Sequence, residues 1–418
     1  MFKILVVNNT LPDIRGFTTI LFKNLLPILK EKMNVEIIWV VHTTENFSRY
    51  KISENEKIIK MNDFKNAVEI LKKEKPNLIY IIPGINAPDY AFSLAAKFLN
   101  IFRIGGELGN NLFSKKYSGL FSQLSISHNY SKKKQILQFI QKHKFLINTQ
   151  REIGWSYFRI LKDLISIVFN YYFPLFGTQE MASSKFELDQ HYVESEVTIK
   201  KLMSYGFDKS KIIITGNPSY DELFKKAQKK EERQNDEKFQ ILVLTTTIIG
   251  DSKKKTIEKR NLFISEIIKK IEHKEKNEIF FKIHPTHENL NEYKKIVNSI
   301  DPKIIIYQKE ELVDLIKKAD LIISPVSSTS VVSALIQKKP IIIWNVFEVQ
   351  NDSLLENKLA LECKDPNELG DLVEKSKTMK ISDKKIEEFI AKYLFKADGK
   401  AAERIADAIF KLAGKNCF

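Results

Sequence analysis

Short, uninterrupted apolar runs recur along this chain, each followed by a segment of helical spacing. This alternation limits the possible folds more than any other feature. The first 106 residues hold FKILVVN (2–8), VEIIWVVH (35–42), NLIYIIPG (77–84) and IFRIGG (101–106). Between them lie FTTILFKNLLPILKEKM (17–33), DFKNAVEILKKEKP (63–76) and DYAFSLAAKFLN (89–100), whose apolar residues return every three or four positions. A strand without polar alternation must be covered on both faces, and a parallel sheet sandwiched between helices does this. The pattern resumes with the strands FQILVLTTT (239–247), EIFFKIHP (278–285), KIIIYQ (303–308), DLIISPVS (320–327) and PIIIWNV (340–346). Helical segments at 260–274, 289–300, 311–319 and 328–339 separate them. The expected fold class is α/β, with two doubly wound Rossmann-like domains facing a central cleft. Ligands of such sheets bind beyond the carboxyl ends of the strands. In the first half those ends are NNTLPDIRGF, HTTENFS, PGINAPD and GGELGNN.

A chain of 418 residues exceeds what one core usually serves. The charge run KKAQKKEERQNDEK (225–238) reads as a solvated connection. The expected boundaries are therefore 1–225 for a first domain, 226–237 for a linker and 238–418 for a second. Residues 107–180 are less regular, DQHYVESEVTIKKLMSYGF (189–207) reads as a helix stopped by Gly206, and 382–413 as a terminal helical region.

Several function classes are disfavoured. Cys363 and Cys417 are far apart, so no disulfide framework or metal spacing exists and a reducing compartment fits. No paired aspartates or Cys/His cluster sits at a strand end, so neither a metal nor a cofactor is expected. The glycine fingerprint of nicotinamide-binding folds is missing after the first strand. MFKILVVNNT turns polar too soon for a signal peptide, and no apolar run reaches about 18 residues, so a cytoplasmic location is expected. The net charge of +15 favours anionic partners, yet no basic stripe interleaved with aromatics suggests nucleic acid. WSYFRILKDLISIVFNYYFPLFG (155–177) is aromatic and flanked by basic residues. It reads either as a domain-packing helix or as a helix lying in an anionic membrane interface.

Two stretches carry candidate chemistry. In ADLIISPVSSTSVVSALIQKKPIIIW (319–344) a buried strand ends at Ser324–Pro325, and Ser327, Ser328, Thr329 and Ser330 follow where a helix begins. Helix N termini bind phosphate. A single hydroxyl would suffice for capping, and four exceed that need. In FFKIHPTH (280–287) Pro285 ends a strand, which puts His284 at the ligand edge with Lys282 on the same face. An imidazole there could offset leaving-group charge, or could simply cap a loop. His287 belongs to the following turn. TGNPSYDE (215–222), with Asn217 and Asp221, and ADGKAAERIADAIFKL (397–412), with Arg404, are weaker signals of a turn and a capped helix.

Taken together, His284–Pro285, Ser327–Ser328, ITGNPSYD (214–221) and DGKAAERIA (398–406) resemble GT-B glycosyltransferases. The similarity is to the CDP-glycerol glycerophosphotransferase, bacterial sialyltransferase and Kdo transferase types of surface-polysaccharide enzyme, over roughly residues 180–410. It implies a metal-independent transferase using a nucleotide-sugar or CDP-glycerol-like donor and a glycan or lipid-linked acceptor. It also implies that His284 and Ser327–Ser328 hold the donor phosphates, with a base in the N-terminal domain. Asp13 and Glu107 are the candidates for that base, and Arg15 and Arg103 for binding an anionic group. Two alternatives share the fold or the ligand. One is a UDP-N-acetylglucosamine 2-epimerase-like enzyme, whose Ser–Gly–Gly and Glu–Glu pattern is replaced here by SSTSVVSA. The other is a non-catalytic nucleotide-sugar or glycan-binding protein.

Overall fold

Every registered strand pair in the structure is parallel, as continuous apolar strands require. The structure, a computed structural model, describes residues 1–8, 17–41, 54–82, 87–106, 132–167, 187–204, 206–227, 238–246, 253–271, 276–285 and 288–415. These group into two compact units: the described parts of Met1–Gly109, Gly119–Ser219 and Lys400–Phe418, and those of Tyr220–Gly399.

The first unit contains strands β1 (Phe2–Asn8), β2 (Val35–Val41), β3 (Glu56–Lys60), β4 (Leu78–Ile81), β5 (Phe102–Gly105), β6 (Gln190–Val193) and β7 (Ile212–Ile214). Its helices are α1 (Phe17–Lys32), α2 (Ala67–Glu74), α3 (Ala87–Phe98), α4 (Lys132–Glu152), α5 (Tyr157–Ile167) and α6 (Glu196–Ser204). The strand order is β3-β2-β1-β4-β5-β6-β7. One face packs Leu5, Ile38, Val40 and Ile79 against α2, α3 and α4, and the other packs Ile4, Val6, Trp39 and Tyr80 against α1. A Cβ on Gly105 would stand 1.8 Å from the Ile81 carbonyl oxygen, and one on Gly106 1.8 Å from that of Tyr192. The glycine pair is what lets β5 end in close contact with both neighbours.

The second unit contains β8 (Phe239–Leu244), β9 (Asn277–Lys282), β10 (Ile305–Tyr307), β11 (Leu321–Ser324), β12 (Ile341–Ile343) and β13 (Leu361–Glu362). Its helices are α7 (Asp221–Ala227), α8 (Lys253–Lys270), α9 (Leu290–Ile300), α10 (Leu312–Lys318), α11 (Thr329–Ile336), α12 (Ser353–Glu356), α13 (Leu369–Ser376) and α14 (Asp383–Tyr393). The order is β10-β9-β8-β11-β12-β13. The sheet therefore reverses direction between β8 and β11, and that reversal opens a crevice at the carboxyl edge.

Three segments depart from expectation. Residues 189–207 are not one helix, because Gln190–Val193 add to the sheet beside β5 and the helix begins only at Glu196. HYV is too short a run for period alone to separate strand from helix. The edge strand β3 hides behind a charged sequence, EKIIK, with a single buried side chain, Ile59. The terminal helical region is two helices, α14 and α15 (Ala401–Lys415), broken at a left-handed Phe395 and Gly399. Ile405, Ala406, Ile409 and Leu412 of α15 pack into the first unit's core beside Ile4, Val6 and Leu25. Tyr220–Ala227 group instead with the second unit, where the Tyr220 hydroxyl meets Thr329 Oγ1 at 3.2 Å. Residues 228–237 of the expected linker lie outside the described residues.

Candidate functional site

The crevice of the second unit is bordered by the two stretches singled out in the sequence. Lys282 registers with Leu244, and Ile323 with Val243, so β9 and β11 run out on either side of β8. Their ends lie about 10 Å apart at the usual strand spacing. His284–Pro285 follow β9, and Ser327–Ser330 follow β11.

The hydroxyl cluster divides. Ser327 is fully buried; its N–H donates to Asp352 Oδ2 at 2.7 Å and its hydroxyl donates to Asp352 Oδ1. Asp352 also caps α12, accepting from Leu354 N at 3.2 Å and Leu355 N at 3.3 Å. Ser327 thus anchors the loop. Ser328, Thr329 and Ser330 are half-buried around the first turn of α11. Ser328 is the N-cap residue, with extended backbone, yet its hydroxyl makes no capping bond. The first-turn N–H groups consequently keep their partial positive charge for another acceptor.

The His284 segment is held by a residue the spacing did not reveal. Glu288 Oε2 accepts from the His284 N–H at 2.5 Å and from the Thr245 hydroxyl at 2.5 Å, and its Oε1 accepts from Tyr293. Burial, with the carboxylate beside it, raises the Tyr293 phenol well above its ordinary value, so it stays a donor. Gln308 Nε2 donates to the Glu288 carbonyl at 2.9 Å and fixes the same turn. Lys282 lies on this edge but is buried, and its ammonium donates to the carbonyls of Ile283 at 3.2 Å and Gln308 at 2.5 Å. In this structure it ties β9 to the end of β10.

The two weaker motifs also come together. Gly216 adopts φ 77°, and Asn217 Oδ1 accepts from Ser219 N at 3.0 Å and Oγ at 2.7 Å, closing the turn. Arg404 Nε donates to the Thr215 carbonyl at 2.7 Å, so α15 is fastened to that turn within the first unit. In the second unit Gly399 lies against the backbone of Asp221, where an added Cβ would approach its carbonyl oxygen to 2.9 Å. Arg103 stands at the amino end of β5 and makes a bidentate pair with Asp189, at 3.0 and 2.8 Å. Its anionic partner is thus the residue that leads into the neighbouring strand β6. Asp13, Arg15, Glu107 and His287 lie outside the described residues.

Asp352 was missed because it acts over distance, and Glu288 because a glutamate in a turn has no spacing that marks it as the anchor of His284 four residues earlier. An Asp before SLLE is a capping signal, but nothing in it indicates a serine 25 residues earlier.

Two Rossmann-like units with these strand orders define a GT-B-like protein, and solved structures of this fold agree. A putative UDP-N-acetylglucosamine 2-epimerase from Listeria monocytogenes matches with a TM-score of 0.56 at 15% identity, over 99% of this chain and 97% of its own. The UDP-GlcNAc 2-epimerase of Neisseria meningitidis, bound to UDP-GlcNAc, matches at 0.54 and 16%, over 98% of this chain and 100% of its own. A calicheamicin glycosyltransferase matches at 0.54 and 12%, over 100% and 99%. No curated protein matches in sequence. The CDP-Glycerol:Poly(glycerophosphate) glycerophosphotransferase family matches residues 176–411, more than half of the chain, and the chain belongs to that family. It is a transferase.

Proposed function

We propose that the chain transfers a glycosyl or glycerophosphate group from a nucleotide-activated donor to a glycan or lipid-linked acceptor. The product would be a surface polysaccharide or glycoconjugate of the cell envelope, made in the cytoplasm at the membrane face. One observation carries the reading: the switch-point crevice between β8 and β11 is bordered by His284–Pro285 and by the first turn of α11. That turn combines unused N–H groups with the Ser328, Thr329 and Ser330 hydroxyls, which suits a diphosphate. His284 would donate to the leaving phosphate and offset the charge that develops there. Charge neutralisation would then come from protein groups, without a metal. Family membership supports CDP-glycerol as the donor class, and the bound UDP-GlcNAc of the Neisseria relative supports a nucleotide site in this fold.

The acceptor hydroxyl attacks the transferred group while its proton passes to a carboxylate of the first unit, with Asp13 and Glu107 as candidates. The new bond to the acceptor oxygen forms as the bond to the nucleotide breaks, and the nucleotide leaves as an anion. An epimerase reading is less well supported, because α11, TSVVSALI, contains no carboxylate.

A thermal-shift panel of CDP-, CMP- and UDP-linked donors, followed by product analysis with and without chelator, tests the proposal. Stabilisation by one donor class and chelator-resistant transfer support it. No stabilisation by any nucleotide refutes it. Conversion of UDP-N-acetylglucosamine without acceptor establishes the epimerase instead, and binding without turnover establishes a non-catalytic binder.

A further inference from the structure

A cavity of about 600 Å³ opens in the first unit between α3, α5 and the start of β5. Arg103, the second residue of β5, lies in its wall and is only 8% exposed. Ligands of such sheets bind beyond the carboxyl ends of the strands, so this cavity stands at the opposite, amino edge. The Asp189 carboxylate takes the Nε and Nη2 donors of Arg103. Nη1 is left with no partner among the described residues. A guanidinium holds its N–H donors in a fixed fork, and a donor kept from bulk water is costly unless an acceptor reaches it. An adjoining cavity of about 390 Å³, beside His191 and Lys211, shares the same arginine.

The wall of the larger cavity carries two kinds of polar group. Arg159 and Lys162 stand one turn apart on α5, and among the described residues neither makes an ion pair. The Arg159 guanidinium stacks 3.9 Å from the Trp155 ring centroid, which orients it without using its N–H groups. Opposite in sign are Asp163 and Glu187. Asp163 is held by the Tyr90 hydroxyl at 3.4 Å and by Gln150 Nε2 at 2.8 Å, and Glu187 is held by Lys97. Carboxylates fixed in this way accept further hydrogen bonds. Phe98 and Ile153 add apolar surface between the charges. A bare inorganic anion would satisfy the cations but be repelled by both carboxylates. A neutral polyol would satisfy the carboxylates and leave the cations unanswered. A ligand with both a phosphate and free hydroxyls meets every group.

The structure assigns this cavity as a binding site for a polyol phosphate. The phosphate is held among Arg103, Arg159 and Lys162, the hydroxyls donate to Asp163 and Glu187, and the carbon chain lies on Phe98 and Ile153. The volume falls within the usual range of small-ligand sites, about 300–1,000 Å³. Two sources share this chemistry: a free polyol phosphate, and a glycerol phosphate unit of a polymer. The site is built wholly from the first unit and does not depend on the transferase reading.

Isothermal titration of the full chain tests it, with glycerol 3-phosphate, glycerol and inorganic phosphate as probes. One equivalent of glycerol 3-phosphate is expected to bind, at least ~10-fold more tightly than either fragment. Losing a charge-assisted hydrogen bond commonly weakens binding by a factor of about ten or more. Arg159→Gln/Lys162→Gln should therefore bind glycerol 3-phosphate about ten-fold more weakly, with an unchanged melting midpoint because both side chains are exposed. Arg103→Lys should weaken it by a similar factor, read below that variant's own melting transition because the fork on Asp189 is also lost. His284→Ala, in the other unit, should bind as the wild type does. Binding that is absent, equally tight for inorganic phosphate alone, unchanged in the glutamine variant, or lost in His284→Ala overturns the proposal. A short glycerol phosphate oligomer decides the source. Tighter binding than the monomer, weakened in the glutamine variant, assigns the site to a polymer, and weaker binding assigns it to the free polyol phosphate. Glycerol 3-phosphate binding in a chain that no nucleotide stabilises would support this site and refute only the transferase reading.

Discussion

Replacing Asp352 with Asn tests whether the phosphate-side loop is positioned from beneath. The carboxylate takes the Ser327 N–H on Oδ2 at 2.7 Å, and on Oδ1 it takes the Ser327 hydroxyl together with the N–H groups of Leu354 and Leu355. Asparagine has the same shape but only one oxygen. If that oxygen stays with the three donors on the Oδ1 side, the new NH2 group faces the buried Ser327 N–H. Leaving one buried donor unsatisfied costs about 1–3 kcal/mol, and losing charge assistance from the remaining bonds adds to this. A total near 3 kcal/mol in a unit of about 180 residues lowers its midpoint by roughly 6–12 °C. Differential scanning calorimetry of the full chain reads this directly. Donor affinity should also fall about ten-fold after correction for unfolding, because Ser328 follows Ser327 immediately. Ser327→Ala should overlap with the Asn substitution in a double-mutant cycle, since the two share bonds. A midpoint shift below about 2 °C, or full additivity of the two changes, would refute the reasoning.

Glu288→Gln should loosen the His284 turn by weakening its bonds to His284, Thr245 and Tyr293. The expected result in steady-state kinetics is a donor KM raised about ten-fold; unchanged kinetics would show that the turn needs no anchor. Gly399→Ala forces a side chain onto φ 67° and to within 2.9 Å of the Asp221 carbonyl oxygen. It should cost roughly 2 kcal/mol in urea unfolding, and a neutral result would mean the backbone there yields freely. His191 is buried, and burial followed by the nearby Lys211 charge lowers its pKa from 6.5 to about 4. The folded state holds it neutral, whereas the unfolded chain protonates it below 6.5. Stability is thus complete above pH 6.5 and falls as the pH drops toward 4, by roughly 3 kcal/mol. His191→Gln should flatten that slope in pH-dependent melts.

The sheets were legible because strands such as Ile4–Val7 and Leu321–Ile323 are apolar at every position, and only a doubly covered sheet accommodates that. β6 was illegible for the opposite reason: four residues with polar neighbours carry no distinguishing period. At the candidate site, His284 and the Ser327–Ser330 cluster stood out because proline and runs of hydroxyls break local expectation. Which hydroxyl turns inward was not readable, since Ser327 and Ser328 are chemically identical and only the distant Asp352 separates them. Lys282 illustrates the same limit. Its strand position was right, but its ammonium finds the carbonyls at the end of β10, a neighbour set by topology.

The packing of α15 among Ile4, Val6 and Leu25 has a consequence for biosynthesis. The first strand leaves the ribosome almost the whole chain length ahead of the helix that covers it. At about 5–20 residues per second that delay is roughly 20–80 s. The second unit, whose described residues run from Tyr220 to Gly399, can condense in the meantime, while the first waits with part of its apolar surface open. A nascent chain stalled before residue 400 should therefore recruit holding chaperones through its N-terminal half and be cut there by added protease, and release of the last segment should end both.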